Sequence, residues 1–440
     1  MAATSSVVVA SPRSPQAATA RETVRLAVIY ILPWFVFIPV AKVPYTPFST
    51  DDLLPLAIIG GGLLVRLWCG GRPRFELVTA GLLLLAFLNF VASVGTAWPA
   101  SDLIRSAARG GGRFLMDASL VAVMLFCLRD GRDAKRMMQS IVVAAVAQTL
   151  FCVWAYTTDY VGPGGIGMAP RPDWSDLRRV HGTFSTEETW IAVSSNFLAA
   201  FLMCATLLAI GLADLSRNIL GRLSWCASAA LCVVGIALSY TRASLAGLGL
   251  GVLAYGVLSR RYVVVLALLL VVAASVVTVP GLRNRLASIE SDRLALLTAG
   301  LNVIGDYPLL GVGEGNFTYV LQTGPRYQYT EYGKAQSTPH VSVLMAAAYA
   351  GIAAGLVLVL IWLTLVGRGI AYSALATDPK KRLLLAALTA TCVAYLFQDQ
   401  LNNLIFIPKT RTFLWIFAAL IVVAGRTLSS ERRLLAQEDP

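Results

Sequence analysis

The sequence predicts an all-α, polytopic membrane protein with about twelve transmembrane helices. Three observations carry that reading. Of the 440 residues, 57% are hydrophobic and 14% charged, against about 45–50% and about 25% in an ordinary soluble chain. Apolar runs of roughly 18 residues or more, long enough to cross a bilayer as a helix, recur from Val24 to Val423 with short polar breaks. The Lys and Arg residues fall singly or in short clusters between those runs. The net charge of +12 therefore reads as a topology signal, with membrane lipid as the surroundings and no nucleic acid as partner.

Taken in order, residues 1–23 are mostly small or polar and lack the apolar stretch of a signal peptide, which predicts a disordered cytoplasmic tail. A single transmembrane domain is expected over 24–428, with spans near 24–41, 53–68, 75–96, 113–128, 137–157, 188–213, 221–239, 243–258, 262–280, 340–366, 383–398 and 412–428. Residues 429–440 form a second cytoplasmic tail. With the first residue inside, 21 basic residues fall on the cytoplasmic side, including the connections 69–74, 129–136, 214–222, 259–261 and 367–382, and 15 outside. The positive-inside rule and the even helix count then agree, which fits a multi-pass membrane protein with both termini cytoplasmic. The seven cysteines have no CxxC or metal spacing and read as small core hydrophobes. No repeat of solenoid length is present.

Residues 281–339 are expected to form one long loop on the outer side. It balances five basic residues against five acids and holds five tyrosines, and loops of such length usually carry function. Leu294, Leu297, Leu301 and Ile304 recur at helical spacing after Ser291-Asp292, predicting an amphipathic helix on the membrane surface and a lid built around it.

Candidate chemistry gathers on this outer side. Thr338 as N-cap and Pro339 at the first helical position would place His340 in the opening turn of the tenth span, where the helix dipole disfavours imidazolium and the ring can accept a proton. The alternative is an interfacial His bonded to a loop carbonyl; His181, the other histidine, reads as structural. Arg242 lies in the short outer turn Ser239–Ser244, on the wrong side for a positive-inside anchor, so it either faces the bundle or snorkels. Arg293 opens the surface helix and is either a phosphate ligand or a solvated charge paired with Asp292 or Glu290. The segment Pro308–Phe317, with glycines at 311, 313 and 315, allows a turn with exposed backbone amides, with Gly313 and Asn316 in supporting places. The outer carboxylates are Glu187, Glu188, Asp306, Glu314 and Asp399, without a DxD pair; no metal site and no cofactor are expected.

The long loop, Arg242, Arg293, the Pro308-Leu-Leu-Gly run and His340 heading a helix with Gly351 further on occur in an order that resembles the bacterial O-antigen ligase and O-antigen polymerase superfamily. The resemblance spans roughly residues 180–425, and residues 24–160 match it only in hydropathy. It implies a GT-C-like helical fold and a metal-independent transfer of a glycan from undecaprenyl diphosphate to an acceptor hydroxyl on the periplasmic face. The acceptor is lipid A core for a ligase or a second lipid-linked glycan for a polymerase. It further implies that Arg242, Arg293 and, through the Arg179–Phe184 stretch, Arg179 hold the diphosphate and that His340 activates the acceptor; beside the resemblance, Glu187, Asp399, Gly313 and Asn316 are the candidates for supporting places. Val341 stands where the family usually has a polar residue, and Ser185–Glu188 replace its asparagine-proline. A polysaccharide or lipid transporter is the competing class, disfavoured because nearly every charge lies at a helix end or in a loop instead of at the bilayer midplane.

Overall fold

The computed structural model describes residues 15–38, 50–69, 76–96, 108–162, 166–168, 179–184, 191–262, 291–314, 316–327 and 340–438. Their helices are α1 (Pro15–Leu26), α2 (Leu53–Cys69), α3 (Leu77–Gly95), α4 (Arg113–Cys127), α5 (Gly131–Thr158), α6 (Ile191–Leu215), α7 (Ile219–Leu238), α8 (Arg242–Ser259), α9 (Ser291–Asp306), α10 (Phe317–Thr323), α11 (Ser342–Ala350), α12 (Ile352–Leu375), α13 (Pro379–Asn402) and α14 (Pro408–Glu438). A single antiparallel pair, β1 (Gly167–Met168) and β2 (Val180–Gly182), interrupts them. Among the described residues eight helices are long and apolar enough to cross a membrane: α3 to α8, α12 and α13. The all-α, multi-pass fold is as expected. The span expected at 262–280 lies, past Tyr262, outside the described residues, as do residues 281–290 and 328–339 of the long loop.

Two helices form the centre. The apolar window of α6 is 94% buried and that of α13 83%, whereas α7 is 22% buried and faces outward. Close packing of α8 on this pair depends on small residues: a Cβ at Gly247 would lie 2.6 Å from Met203 Sδ, and one at Gly251 3.0 Å from the Ala394 Cβ. All seven cysteines are free thiols, six of them buried.

Three expectations need correction. Residues 15–23 are not a disordered tail: α1 buries Ala17 against Val65 and Cys69, Arg21 donates to the Phe126 carbonyl at 2.7 Å, and Arg25 pairs with Asp133 at 2.5 Å. An apolar stripe that begins before the long apolar run is enough to order it. The span expected over 24–41 is also not one helix. After Leu26 the backbone loosens into a π turn, Ala27–Ile31, and tightens into a 3-10 turn, Leu32–Phe37, that carries Pro33 in its first positions. Proline there lacks the N–H and crowds the carbonyl four residues back, so an α-helix cannot run through it.

The third correction concerns the span expected over 340–366. It is broken at Gly351, with α11 on one side and α12 on the other. α12 alone, 24 residues long, reaches about 36 Å at 1.5 Å per residue, enough to cross a bilayer without α11, which packs in a layer of its own. There Ala299 and Val303 of α9, Val312, Phe317 and Val320 pack with Met345, Ala348 and Tyr349 of α11. The amphipathic helix lies where its spacing predicts, and it leaves Leu294 and Leu301 exposed after Leu296, Ala299 and Val303 are buried.

The Pro308–Gly313 segment closes the break. Val312 N–H donates to the Ala348 carbonyl at 2.8 Å, Gly313 N–H to Tyr349 at 2.9 Å, and Ile352 N–H to the Pro308 carbonyl at 2.9 Å. The loose ends of both helices are thereby satisfied from within the chain. Two positive-φ glycines make this possible, Gly311 at 63° and Gly351 at 82°, and a Cβ on Gly351 would lie 2.0 Å from the Leu309 carbonyl oxygen. Gly351→Ala is therefore expected to cost about 1–3 kcal/mol from backbone strain alone, seen as a lowered melting temperature of the detergent-solubilised protein.

Candidate functional site

The connection between α7 and α8 is only Ser239-Tyr240-Thr241. Tyr240 turns the chain at φ 51°, Thr241 is the N-cap of α8, and Arg242 is its first residue, half-buried. Thr241 does not use its hydroxyl on the helix; Oγ1 donates to Asn196 Oδ1 at 3.2 Å. The turn is braced from outside by Arg179, whose Nε donates to the Ser239 carbonyl at 2.9 Å and whose Nη2 donates to Asn196 Oδ1 at 2.9 Å and Thr241 Oγ1 at 3.3 Å. Arg179, expected on the diphosphate, instead fixes the loop that presents Arg242. The reason is its fork: one planar group reaches a carbonyl and two side chains at once.

Asn196, near the start of α6, carries the network onward. Its Nδ2 donates to Asn402 Oδ1 at 2.9 Å, and its carbonyl accepts from Gln398 Nε2 at 3.1 Å. These two partners belong to the last turns of α13, as does Asp399. Asp399 is fully buried and accepts from Ser342 Oγ at 2.7 Å and from Ile405 N–H at 2.8 Å. Ser342 is the first residue of α11, two residues after His340. Through the last turns of α13, these hydrogen bonds tie the Arg242 turn to the segment that carries His340.

His340 itself departs from its expected place. Val341 is the N-cap of α11 and has no side-chain cap bond, so His340 precedes the cap and does not lie in the first helical turn. It is half-buried and takes φ 57°, a left-handed conformation uncommon for a residue with a Cβ and concentrated at functional sites. Thr338 and Pro339, the expected cap, lie outside the described residues. So do Glu187 and Glu188.

The remaining candidates divide. Arg293 occupies the first turn of α9, as expected. Asp399 is an anchor, not an open carboxylate. Gly313 spends its N–H on Tyr349, and Asn316 donates through Nδ2 to the Val312 carbonyl at 2.8 Å; these two shape the clasp on α11, and Val312 and Gly313 do not offer the amides of a phosphate cradle. Glu314 lies 3.6 Å from Arg113. Asp306 accepts from Tyr327 Oη at 2.6 Å, and burial together with that carboxylate pushes the Tyr327 phenol up. His181 is completely buried within β2, in keeping with a structural role. Among the described residues no three His, Cys, Asp or Glu side chains gather as a metal site.

Three charged residues beside this layer escaped the sequence reading. Arg411 and Asp117 are 2% and 0% exposed and pair at 2.7 Å between α14 and α4. Lys409, equally buried, donates to the carbonyls of Thr183 at 2.6 Å and Val36 at 3.1 Å and lies 5.2 Å from the centre of the Phe184 ring. Signals existed for both cations and the acid. Lys409 and Arg411 sit at the head of the last span, the end that the basic-residue count assigns to the outside and where the positive-inside rule disfavours them, and Asp117 interrupts an apolar run.

Residues 227–359 match the O-antigen ligase family. The match covers part of the chain. It takes in the Arg242 turn, the described part of the loop with α9 and the clasp, His340, α11 and the start of α12. The match supports the O-antigen ligase and polymerase superfamily, and with it a membrane enzyme of glycan transfer. No curated protein matches the chain. Arg179, Asp399, Lys409, Asp117 and Arg411 lie outside the matched region; hydrogen bonds join Arg179 and Asp399 to it, through Ser239, Thr241 and Ser342. Arg179→Ala should remove the bonds to Ser239, Asn196 and Thr241, costing about 1–3 kcal/mol of stability, and Arg179→Lys should recover little of it because a point charge cannot replace the fork; thermal unfolding of the two variants checks this.

Proposed function

We propose that the protein moves a glycan from undecaprenyl diphosphate to an acceptor hydroxyl at the periplasmic face of the bacterial inner membrane, as an O-antigen ligase acting on lipid A core. The observation that carries this reading is the polar layer joining the Arg242 turn to the His340 segment through Asn196, Asn402 and Asp399. A base and a phosphate-binding cation on one rigid frame are what a lipid-linked glycan transfer needs. The fold is of the GT-C kind in this reading, and no metal takes part.

The chemistry follows from the leaving group. Undecaprenyl diphosphate departs readily once its charge is held, so the acceptor is the weak partner: a sugar hydroxyl is a poor nucleophile at neutral pH. His340 takes the hydroxyl proton as the oxygen attacks the anomeric carbon from the face opposite the diphosphate. The glycosidic carbon–oxygen bond to the diphosphate breaks with inversion, and the electron pair stays on the diphosphate. Arg242 and Arg293 stabilise that growing charge through charge-assisted bonds. Arg179 acts indirectly, by holding the Arg242 turn.

Arg242→Ala and Arg293→Ala are each expected to weaken donor use by about 1.5–3 kcal/mol, the worth of hydrogen bonds to a charged group, with the melting temperature unchanged; wild-type turnover in either variant would leave that arginine a topology marker. Polymerase activity uses the same donor and a second lipid-linked glycan as acceptor. A deletion strain separates the two: uncapped core with intact lipid-linked polymer marks a ligase, and core bearing single repeats marks a polymerase. Lipid-linked glycan trapped on the cytoplasmic side would mark a transporter instead.

A further inference from the structure

At the opposite end of the bundle from the polar layer lies a cavity of about 930 Å³. Three chain connections that the basic-residue count assigns to the cytoplasm converge on it. Arg132 and Lys135 come from the start of α5, Arg217 from the connection before α7, and Lys380 and Lys381 from the start of α13. Two acids also line it, but each carboxylate is turned to its own backbone. Asp130 accepts from the amides of Arg132 and Asp133, and Asp378 accepts from that of Lys380. Among the described residues the side chains of Arg132, Lys135, Arg217 and Lys380 make no ion pair.

Orientation in the membrane explains why cations lie at this end, since basic residues hold a loop in the cytoplasm wherever they fall within it. It does not explain their convergence on one cavity. Basic residues at 66, 260 and 261 serve the same rule elsewhere. Nor do helix energetics favour the arrangement, because Arg132, Lys380 and Lys381 occupy first helical turns, where the dipole repels cations. The cavity wall is apolar as well, with Trp225, Leu215 and Leu384 beside the cations. Half-buried indole next to cations is the pairing found where a headgroup meets an acyl chain.

We propose that this cavity holds the anionic headgroup of a glycerophospholipid from the cytoplasmic leaflet, with an acyl chain along Trp225 and Leu384. The phosphate sits among Arg132, Lys135, Arg217, Lys380 and Lys381, and the lipid fills the gap between α5, α7 and α13.

The test uses the purified full-length protein in detergent, with phosphatidylglycerol or phosphatidylethanolamine titrated in and bound lipid counted by native mass spectrometry. Wild type is expected to favour phosphatidylglycerol on the order of tenfold, because juxtamembrane cations attract an anionic headgroup. Arg217→Gln/Lys380→Gln/Lys381→Gln is expected to abolish that preference. Should the triple variant fail to fold, brominated phosphatidylglycerol is expected to quench the wild type and to lose a component of that quenching in Trp225→Phe. Equal retention of the two lipids by wild type, an unchanged preference in the triple variant, or no Trp225 component would overturn the proposal. Displacement of phosphatidylglycerol by inorganic pyrophosphate would overturn it too, by assigning the cations to a soluble phosphate.

Discussion

Replacing His340 with Ala or Gln is expected to lower glycan transfer by at least about 10²-fold, within the ~10²–10⁴ that a general base contributes, while lipid-linked donor still binds. The expectation rests on position more than on the residue type. His340 is at φ 57° ahead of α11, and Ser342 Oγ fixes the segment to buried Asp399 at 2.7 Å. A base held by its backbone at the edge of a polar layer keeps one geometry toward an incoming hydroxyl. Asp399 is the competitor for the role, and its bonds argue against it. Asp399→Asn keeps an oxygen for Ser342 and for the Ile405 amide, so it is expected to retain transfer within a few-fold. Turnover of His340→Gln and Asp399→Asn, measured side by side, decides: an active glutamine variant with a dead asparagine variant would move the base to Asp399.

The Arg411–Asp117 pair gives the largest expected effect on stability. Both groups are buried between α4 and α14, and removing one partner leaves the other charged and unpaired away from water. Arg411→Ala is expected to cost about 3–5 kcal/mol. Removing both charges with well-packed residues, as in Asp117→Leu/Arg411→Met, should restore most of that loss, because a desolvated pair gains little over an apolar one of similar volume. Melting temperatures of the single and double variants check this. Equal losses in the two would show that the pair contributes more than its own desolvation.

What was legible in the sequence is what local pattern determines. Apolar runs located α3 to α8, and the Leu294–Ile304 spacing located α9, because a helix of apolar residues is written into its own segment. The breaks were less visible. Pro33 was present to end the first span, and Gly351 to end α11, yet the closure of that second break depends on Val312 and Gly313, some forty residues earlier, reaching the Ala348 and Tyr349 carbonyls. Alternate glycines in that stretch suggested free amides; tertiary pairing consumed those of Val312 and Gly313. The same limit governs the site. Arg242 and His340 stood out by type and place, and the O-antigen ligase family match covers both. Arg179 became a brace only through Ser239, Asn196 and Thr241, contacts that no spacing reveals. Asn196, Gln398 and Asn402 are ordinary polar residues near helix ends until α6 and α13 come together.

Reconstitution tests the central claim most directly. The purified protein, in nanodiscs with a glycan on undecaprenyl diphosphate and lipid A core as acceptor, is assayed for free undecaprenyl diphosphate and for glycan on the acceptor. The expected result is equal appearance of both products in wild type and neither in His340→Ala. Donor left intact in the wild-type reaction, with both the lipid A core and a second lipid-linked glycan offered, would contradict a transferase.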